Sequence, residues 1–370
     1  PNMCAHWCRI GTKGQSEPQV IGESPSPKLS QSISAGRESI GGDYGPVWLL
    51  REDGTMWKWL ITEGQNLQQV SAFKDIVTFY MVSNAHALVA LDKAGNAYQF
   101  NTTTGQLTQT DSGVKQISPS LYLKQNGTVM GWDKQAIANI PLMNRLVDSH
   151  KGRLVYVNGG VGKDAEFYYF TYGDTRTIPT PTGAVKAVGK YNQAQVLLTD
   201  RESYSPPYPP EYPAAILNGN VWNFINKQGQ LTGQQTLPNG TIYTHMGGLG
   251  MGQWSPVLAG DSNLWYWSAE SHNFVKSTCG NVKKTYRAEL VLLANGTIRP
   301  ITYLANGVGS VACPESSAFE HLAAVQVKDM YTFAGGLVLA ITTDNKLIAR
   351  SYTLPQWQGK VEVYSTSFSQ

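Results

Sequence analysis

The side chains of this 370-residue chain that could do chemistry are few: four cysteines, six histidines, and 26 carboxylates against 29 lysines and arginines. Cys4-Ala5-His6-Trp7-Cys8 brings two thiols and an imidazole together, and these are zinc-ligand types. No second ligand pair sits at a matching spacing, so we read the cluster as disulfide chemistry and expect no metal and no other cofactor. Cys279 and Cys313 complete the set. Four cysteines allow three pairings. Pairing Cys4 with Cys8 and Cys279 with Cys313 needs the least rearrangement, whereas a cross-pairing would tie the two ends of the chain together. Disulfides imply an oxidising, extracytoplasmic compartment.

Catalytic motifs are missing. The chain has no Gly-x-Ser-x-Gly, no His-Glu-x-x-His and no Gly-rich phosphate loop ahead of a helix, and we assign no catalytic residue. Gly247-Gly248-Leu249-Gly250-Met251-Gly252 falls where a strand or turn is expected and reads as a close backbone approach. His86 reads as a packed structural residue. His150 and His245 follow the opening strands of their repeats and could face a central channel. Asn101-Thr102-Thr103, Asn126-Gly127-Thr128, Asn239-Gly240-Thr241 and Asn295-Gly296-Thr297 match the N-glycosylation acceptor, but turn chemistry accounts for them first.

The elements that must position these groups are short strands. Charge is low (15%), Gly, Tyr and Trp are abundant, and 19 prolines are spread along the chain, a profile of many strands and tight turns. Leu49-Leu50-Arg51-Glu52-Asp53-Gly54-Thr55-Met56-Trp57-Lys58-Trp59 is the clearest copy of a recurring unit: an apolar run, a polar turn, then an aromatic strand. Such turns, expected as two-residue hairpins, recur at Ala94-Gly95, Asn126-Gly127, Gly162-Lys163, Asn218-Gly219, Ser262-Asn263, Asn295-Gly296 and Asp344-Asn345. An apolar-Lys-x-x segment precedes many of them, at Phe73, Val114, Val185, Val282 and Val327, with weaker copies near Met143 to Leu146 and Ile242 to Met246. Each reads as a further strand leading into the same sheet. The expected fold is an all-β propeller of seven to eight short antiparallel blades, covering residues 38–370 after a Cys-containing segment over 1–37.

The residues that carry this repeat resemble the regulator of chromosome condensation type of propeller unit. Asn84-Ala85-His86-Ala87-Leu88-Val89-Ala90-Leu91, then Gly95, Phe100 and Gly105-Gln106-Leu107, follow that unit, and Trp222-Asn223-Phe224 with Gly229-Gln230-Leu231 repeats its ending. The resemblance implies the propeller fold and leaves function open, since the founder is a nucleotide-exchange factor and another member inhibits a hydrolase. Sialidase-type propeller glycosidases are similar in architecture, and their turn is echoed by Asp53-Gly54-Thr55-Met56-Trp57. A glycosidase or lyase would need carboxylates converging from separate blades.

What breaks the repeat is where function is expected. Residues 201–215 are a Pro/Tyr-rich insertion between the first and second strand of one unit; five prolines in nine residues suit an extended loop. Tyr204, Tyr208 and Tyr212 on it, with Trp254 and Trp357, are the candidate contact residues. Trp57, Trp132, Trp222 and Trp265 hold matching repeat positions and are expected in the core. A net charge of +3 without a basic run speaks against nucleic acid, and no apolar stretch is long enough for membrane insertion. The expected role is a secreted or surface-displayed binding protein, adhesin-like or virulence-associated, whose partner is a protein or glycan on a cell surface. It would act alone or within a larger secreted assembly; the alternatives are a propeller hydrolase or lyase, or a proteinaceous enzyme inhibitor.

Overall fold

The computed structural model describes residues 32–40, 43–60, 66–82, 85–151, 154–170, 185–200, 212–242, 256–268, 270–286, 290–303, 311–315, 327–333, 337–342, 346–351 and 364–367. Among them there is no helix: the chain is an all-β propeller of small antiparallel meanders. The first meander is β1 (Ser32–Ile40), β2 (Asp43–Arg51), β3 (Met56–Leu60) and β4 (Asn66–Gln69). The second is β5 (Ile76–Met81), β6 (Ala87–Asp92), β7 (Ala97–Asn101) and β8 (Leu107–Asp111). A three-stranded one follows: β9 (Val114–Ile117), β10 (Leu121–Lys124) and β11 (Val129–Gly131). Next come β12 (Met143–Lys151), β13 (Leu154–Gly162), β14 (Phe167–Tyr169) and β15 (Lys186–Gly189). They are followed by β16 (Ala194–Asp200), β17 (Tyr212–Asn218), β18 (Val221–Ile225) and β19 (Leu231–Gln235). The sixth meander is β20 (Thr241–Ile242), β21 (Pro256–Ala259), β22 (Leu264–Ser268) and β23 (Asn273–Lys276). β24 (Val282–Tyr286), β25 (Leu290–Leu293) and β26 (Ile298–Pro300) continue into the β27 (Thr302–Tyr303) and β28 (Val311–Ala312) pair. The last meander is β29 (Val327–Phe333), β30 (Leu337–Thr342), β31 (Lys346–Ser351) and β32 (Tyr364–Ser367).

The seven-or-eight ambiguity in blade number has a physical source. β12 and β16 pair in parallel, Asp148 to His150 against Val196 to Leu198, and fuse two meanders into one eight-stranded sheet. With β27 and β28 taken together with β24 to β26, the fused sheet counts as one blade or two.

The chain divides into two compact units, residues 1–109 with 296–298 and 316–370, and residues 110–295 with 299–315. In the first unit Trp48, Leu50, Phe79, Leu88 and Phe100 form one core, with the Trp48 and Phe100 rings edge to face at 5.4 Å. In the second, Leu198, Leu217, Trp222, Val257 and Trp267 join β16–β18 to β21–β23. Second strands are buried on both sides, as at Leu121, Tyr122 and Leu123, because each is sandwiched between meanders; this is why they read as continuous apolar runs. The strands after the turn depart from the expected alternation: Trp222 to Ile225 of β18 are all buried, and β7 is buried only at Ala97 and Phe100. Of the four repeat-position tryptophans, Trp57 and Trp222 are buried, whereas Trp132 and Trp265 are half-buried.

Asn218-Gly219 opens a two-residue hairpin as expected, with Asn218 paired to Val221, but most of the other turns differ. Arg51 N–H bonds the Thr55 carbonyl and Gly54 N–H the Arg51 carbonyl, both at 3.0 Å, so the loop has three residues, with the third in the left-handed region. That geometry is a type I turn with a bulge. It recurs from Asp92 to Asn96, Lys124 to Thr128, Gly162 to Glu166, Asn226 to Gln230 and Ala259 to Asn263. The left-handed residue is Gly54, Gly95, Gly127 or Gly229, but also Ala165 and Ser262. The residue before it uses its side-chain oxygen to accept the next-but-one N–H: Asp53 from Thr55, Asn126 from Thr128, Asp164 from Glu166, Asp261 from Asn263. Gly54 has a second reason to lack a side chain: a Cβ there would lie 2.7 Å from the Asp75 Cα, where Ile76 N–H bonds the Gly54 carbonyl across to the next meander.

Aspartates in these turns, together with Asp111 at the end of β8, set the acid limit of the fold. Burial pushes the carboxyls of Asp53, Asp92 and Asp111 up, but hydrogen bonds from Thr55, from Asn96 and Tyr98, and from Ser112, Tyr122 and Lys124 outweigh it and hold all three below the ordinary value. Asp164 is held down first by the Tyr168 hydroxyl. A depressed folded-state value makes a contribution that is present above the unfolded pKa, about 3.9 for Asp, and lost as pH falls through the folded one. Thermal midpoints measured from about pH 5 downward are therefore expected to fall, with a flat profile from about pH 5 to 7. Asp111→Asn should lower the neutral-pH midpoint and make the acid limb shallower.

Within the second unit two glutamines act as one-residue strand partners. Gln116 Oε1 accepts the Leu146 N–H at 2.9 Å while its Nε2 donates to the Leu146 carbonyl at 3.2 Å. Gln235 does the same with Phe274, at 2.8 and 3.1 Å. Each amide satisfies backbone groups at an open strand edge and ties one meander to the next.

Candidate functional site

An antiparallel meander sends its connections alternately to two ends, and here the ends differ. The turns joining second to third strands are short, and several are bonded across to the next meander: the Gly127 carbonyl accepts the Met143 N–H, the Ser262 carbonyl the Val282 N–H and the Gly54 carbonyl the Ile76 N–H. The connections joining first to second and third to fourth strands emerge at the other end. In the second unit they include residues 170–185, 201–211 and 243–255. The Pro/Tyr insertion does lie between a first and a second strand, β16 and β17. Long connections on a rigid scaffold are where binding residues concentrate.

The base of the insertion is built as follows. Asp200 pairs with Tyr212 and Thr199 with Pro213, beside an irregularity between Leu198 and Thr199 that accommodates a proline in the ladder. Tyr212 is half-buried, with Lys227 Nζ 5.5 Å from its ring centroid, within cation–π range. Lys227 belongs to the β18–β19 turn, which Asn226 rigidifies: its Oδ1 accepts the Gln228 and Gln230 N–H groups and its Nδ2 donates to Gln230 Oε1 at 2.9 Å. Just beyond, Leu231 is 53% exposed. At the same end of β22–β23, His272 adopts φ 53° and sets its ring 5.0 Å from Trp267.

Of the sequence candidates, Tyr212 is thus placed at the foot of the insertion. Tyr204, Tyr208, Trp254, Trp357, Cys4, Cys8, His245 and Gly247 to Gly252 lie outside the described residues. Cys279 and Cys313 form a disulfide. His150 pairs through its backbone with Val155 and Leu198. His86 corrects our reading: it is exposed, because it precedes β6 at a blade end, and its carbonyl accepts the Thr102 N–H at 3.0 Å. The Gly-Gln-Leu ending is turn chemistry, with Gly105 and Gly229 in the left-handed region and nothing near either to constrain a Cβ.

Sequence reasoning missed one row of residues. The second position of each first strand in the second unit is exposed: Lys115, Asn144, Gln195, Ile242 and Lys283. The lysine of the apolar-Lys-x-x segment is this outward position. One copy was misplaced: Val185-Lys186-Ala187-Val188 leads into β15, a fourth strand paired to β14, and the true equivalent begins at Ala194. The row carries cations, amides and an apolar side chain, and no carboxylate. Asp53, Asp92, Asp164 and Asp261 are engaged in turn hydrogen bonds and Asp111 accepts from Tyr122 and Lys124 of β10, whereas a general acid needs a carboxyl raised by its surroundings. Among the described residues, no group of three or more His, Cys, Asp or Glu could hold a metal.

No protein-family model matches the chain, and no curated protein does. Solved structures are similar in fold. Hsv2 from Kluyvelomyces marxianus superposes with TM-score 0.44 at 10% identity, over 79% of this chain and 98% of that one. Apo AztD from Citrobacter koseri gives 0.41 at 8%, over 90% and 86%. PorZ, a bacterial surface component of the type-IX secretion system of Porphyromonas gingivalis, gives 0.36 at 12%, over 87% and 45%. A shared propeller architecture is compatible with many unrelated functions.

Proposed function

We propose that the chain is a secreted or surface-displayed binding protein that recognises a macromolecule, protein or glycan, through the end of its blades that bears the long connections. The observation that carries the reading is the asymmetry of the meanders. One end is closed by short turns, several of them bonded to the next meander; the other receives the connection that carries the Pro/Tyr insertion, with Tyr212 at its foot and Lys227 beside the Tyr212 ring. A proline-rich segment has little conformational entropy left to lose on binding, and tyrosine is a frequent contact residue. The Cys279–Cys313 disulfide supports an extracytoplasmic location.

The test replaces residues 201–211 by an Asn-Gly turn between β16 and β17. Labelled wild-type protein is screened against cell surfaces and a glycan array, and the variant against whatever target is found. Retained thermal midpoint with binding lost at least tenfold is the expected result. A folded variant that binds as tightly as wild type would put recognition elsewhere.

A further inference from the structure

Two cations at the exposed row, Lys115 within it and Arg145 next to Asn144, have no counter-charge among the described residues. Lys115 Nζ donates to the Asn144 carbonyl at 2.6 Å, and Arg145 Nη2 to the Asn192 carbonyl at 3.1 Å. Among the described residues neither meets a carboxylate. Lys115 is exposed and Arg145 half-buried, and burial alone pulls the Arg145 guanidinium below its ordinary value. A partly desolvated cation satisfied only by a carbonyl is stabilised by an arriving anion.

Around these cations stand amides. Asn144, Asn192 and Gln195 are exposed. The Asn144 and Gln195 NH2 groups donate to the Gly162 and Gly219 carbonyls, each at 3.4 Å. Their side-chain oxygens, with that of Asn192, accept no hydrogen bond among the described residues. Tyr191, half-buried beside Asn192, lies against Gly189, where a Cβ would be 3.5 Å from its ring.

We infer that this strip, Lys115, Asn144, Arg145, Tyr191, Asn192 and Gln195, binds an acidic polysaccharide. Lys115 and Arg145 take its carboxylate or sulfate groups, the free amide oxygens accept its hydroxyls, and Tyr191 offers an aromatic face beside them. Acidic peptides fit less well. They bring carboxylates, which are acceptors only, to a row of amide oxygens that need donors. The strip sits at the starts of β9, β12 and β16, beside the short bonded turns. It is a separate contact from the long-connection end and does not depend on that reading.

The test is equilibrium binding of the intact chain to polygalacturonate, dextran sulfate, neutral dextran and polyglutamate, at two salt concentrations. We expect saturable, salt-weakened binding to polygalacturonate or dextran sulfate, the stronger of the two identifying the acidic group, and none to neutral dextran. Lys115→Gln and Arg145→Gln should each weaken it about tenfold, while the 201–211 replacement leaves it unchanged. Lys115 is exposed, so its variant keeps the test open should the Arg145 variant fail to fold. Three results would overturn the proposal: no saturable binding to either acidic polysaccharide, binding undiminished in the variants, or tighter binding to polyglutamate.

Discussion

Replacing Trp267 by alanine is expected to cost about 3–5 kcal/mol of stability, the range for truncating a fully buried tryptophan. Its side chain is completely buried and meets Phe224 at 5.1 Å and Phe274 at 5.5 Å, both edge to face, with His272 closing the end of the strand at 5.0 Å. Phe224 comes from β18 and Trp267 from β22, so the ring is one of the contacts by which two successive meanders recognise each other. The cavity cannot collapse easily. β22 is held by backbone ladders on both sides, Pro256 to Leu258 on one and Asn273 to Lys276 on the other. Gln235 additionally fixes the neighbouring sheet to Phe274. Denaturant titration followed by circular dichroism reads the loss. Trp265→Ala is the internal comparison: two residues away on the same strand and only half-buried, it should cost clearly less. Equal costs for the two would mean that the packing between these meanders is not what the rings report.

The position of Trp267 also shows how far the fold was legible in the sequence. Alternation in Trp265-Tyr266-Trp267 announced a strand, and Asp-Gly and Asn-Gly pairs announced turns, because both are local consequences of backbone geometry. Which tryptophan would be deepest was not local. It depends on what the adjacent meander supplies, and Trp59 and Trp267 are fully buried although Trp57 and Trp265, two residues earlier, hold the matching repeat positions. The same limit hid the Gln116 and Gln235 clasps, whose partners lie 30 and 39 residues away. A glutamine in a strand looks like a solvated one until its partner backbone is in place.

The misplaced copy at Val185 has a related cause. Val185-Lys186-Ala187-Val188 carries the same apolar-Lys-x-x pattern as the first strands, because any edge strand with one buried face and one exposed residue does. Only the pairing, β15 on β14 rather than beside β12, distinguishes a fourth strand from a first. The candidate sites divide in the same way. Tyr212 could be read from the interruption of the repeat by prolines, which is a sequence event. The Lys115 and Arg145 strip could not, because it arises from equivalent positions on successive meanders and from carbonyls presented by segments up to 47 residues away.

Removing the Cys279–Cys313 disulfide should destabilise the second unit by about 4 kcal/mol, the chain-entropy estimate for cross-linking residues some 34 apart. The local structure points to why the bond matters. β28 is a two-residue strand, held to β27 by pairs at Ala312 and Val311. A Thr302 hydroxyl on the Ala312 carbonyl at 3.2 Å and Arg299 on the Cys313 carbonyl at 3.3 Å are the added polar ties. Strands this short have little cooperativity of their own, so the disulfide and the core around it, Val282, Val291, Ile301 and Val311, keep the outer edge of that meander in place. The double variant Cys279→Ser, Cys313→Ser is expected to lower the thermal midpoint, and hydrogen exchange should quicken first at 302–303 and 311–312. Reductant should bring the wild type down to the variant's midpoint and leave the variant unmoved. A variant that still responds to reductant would locate a further stabilising bond at Cys4 and Cys8. A variant as stable as wild type would mean that β28 is held by its apolar contacts alone.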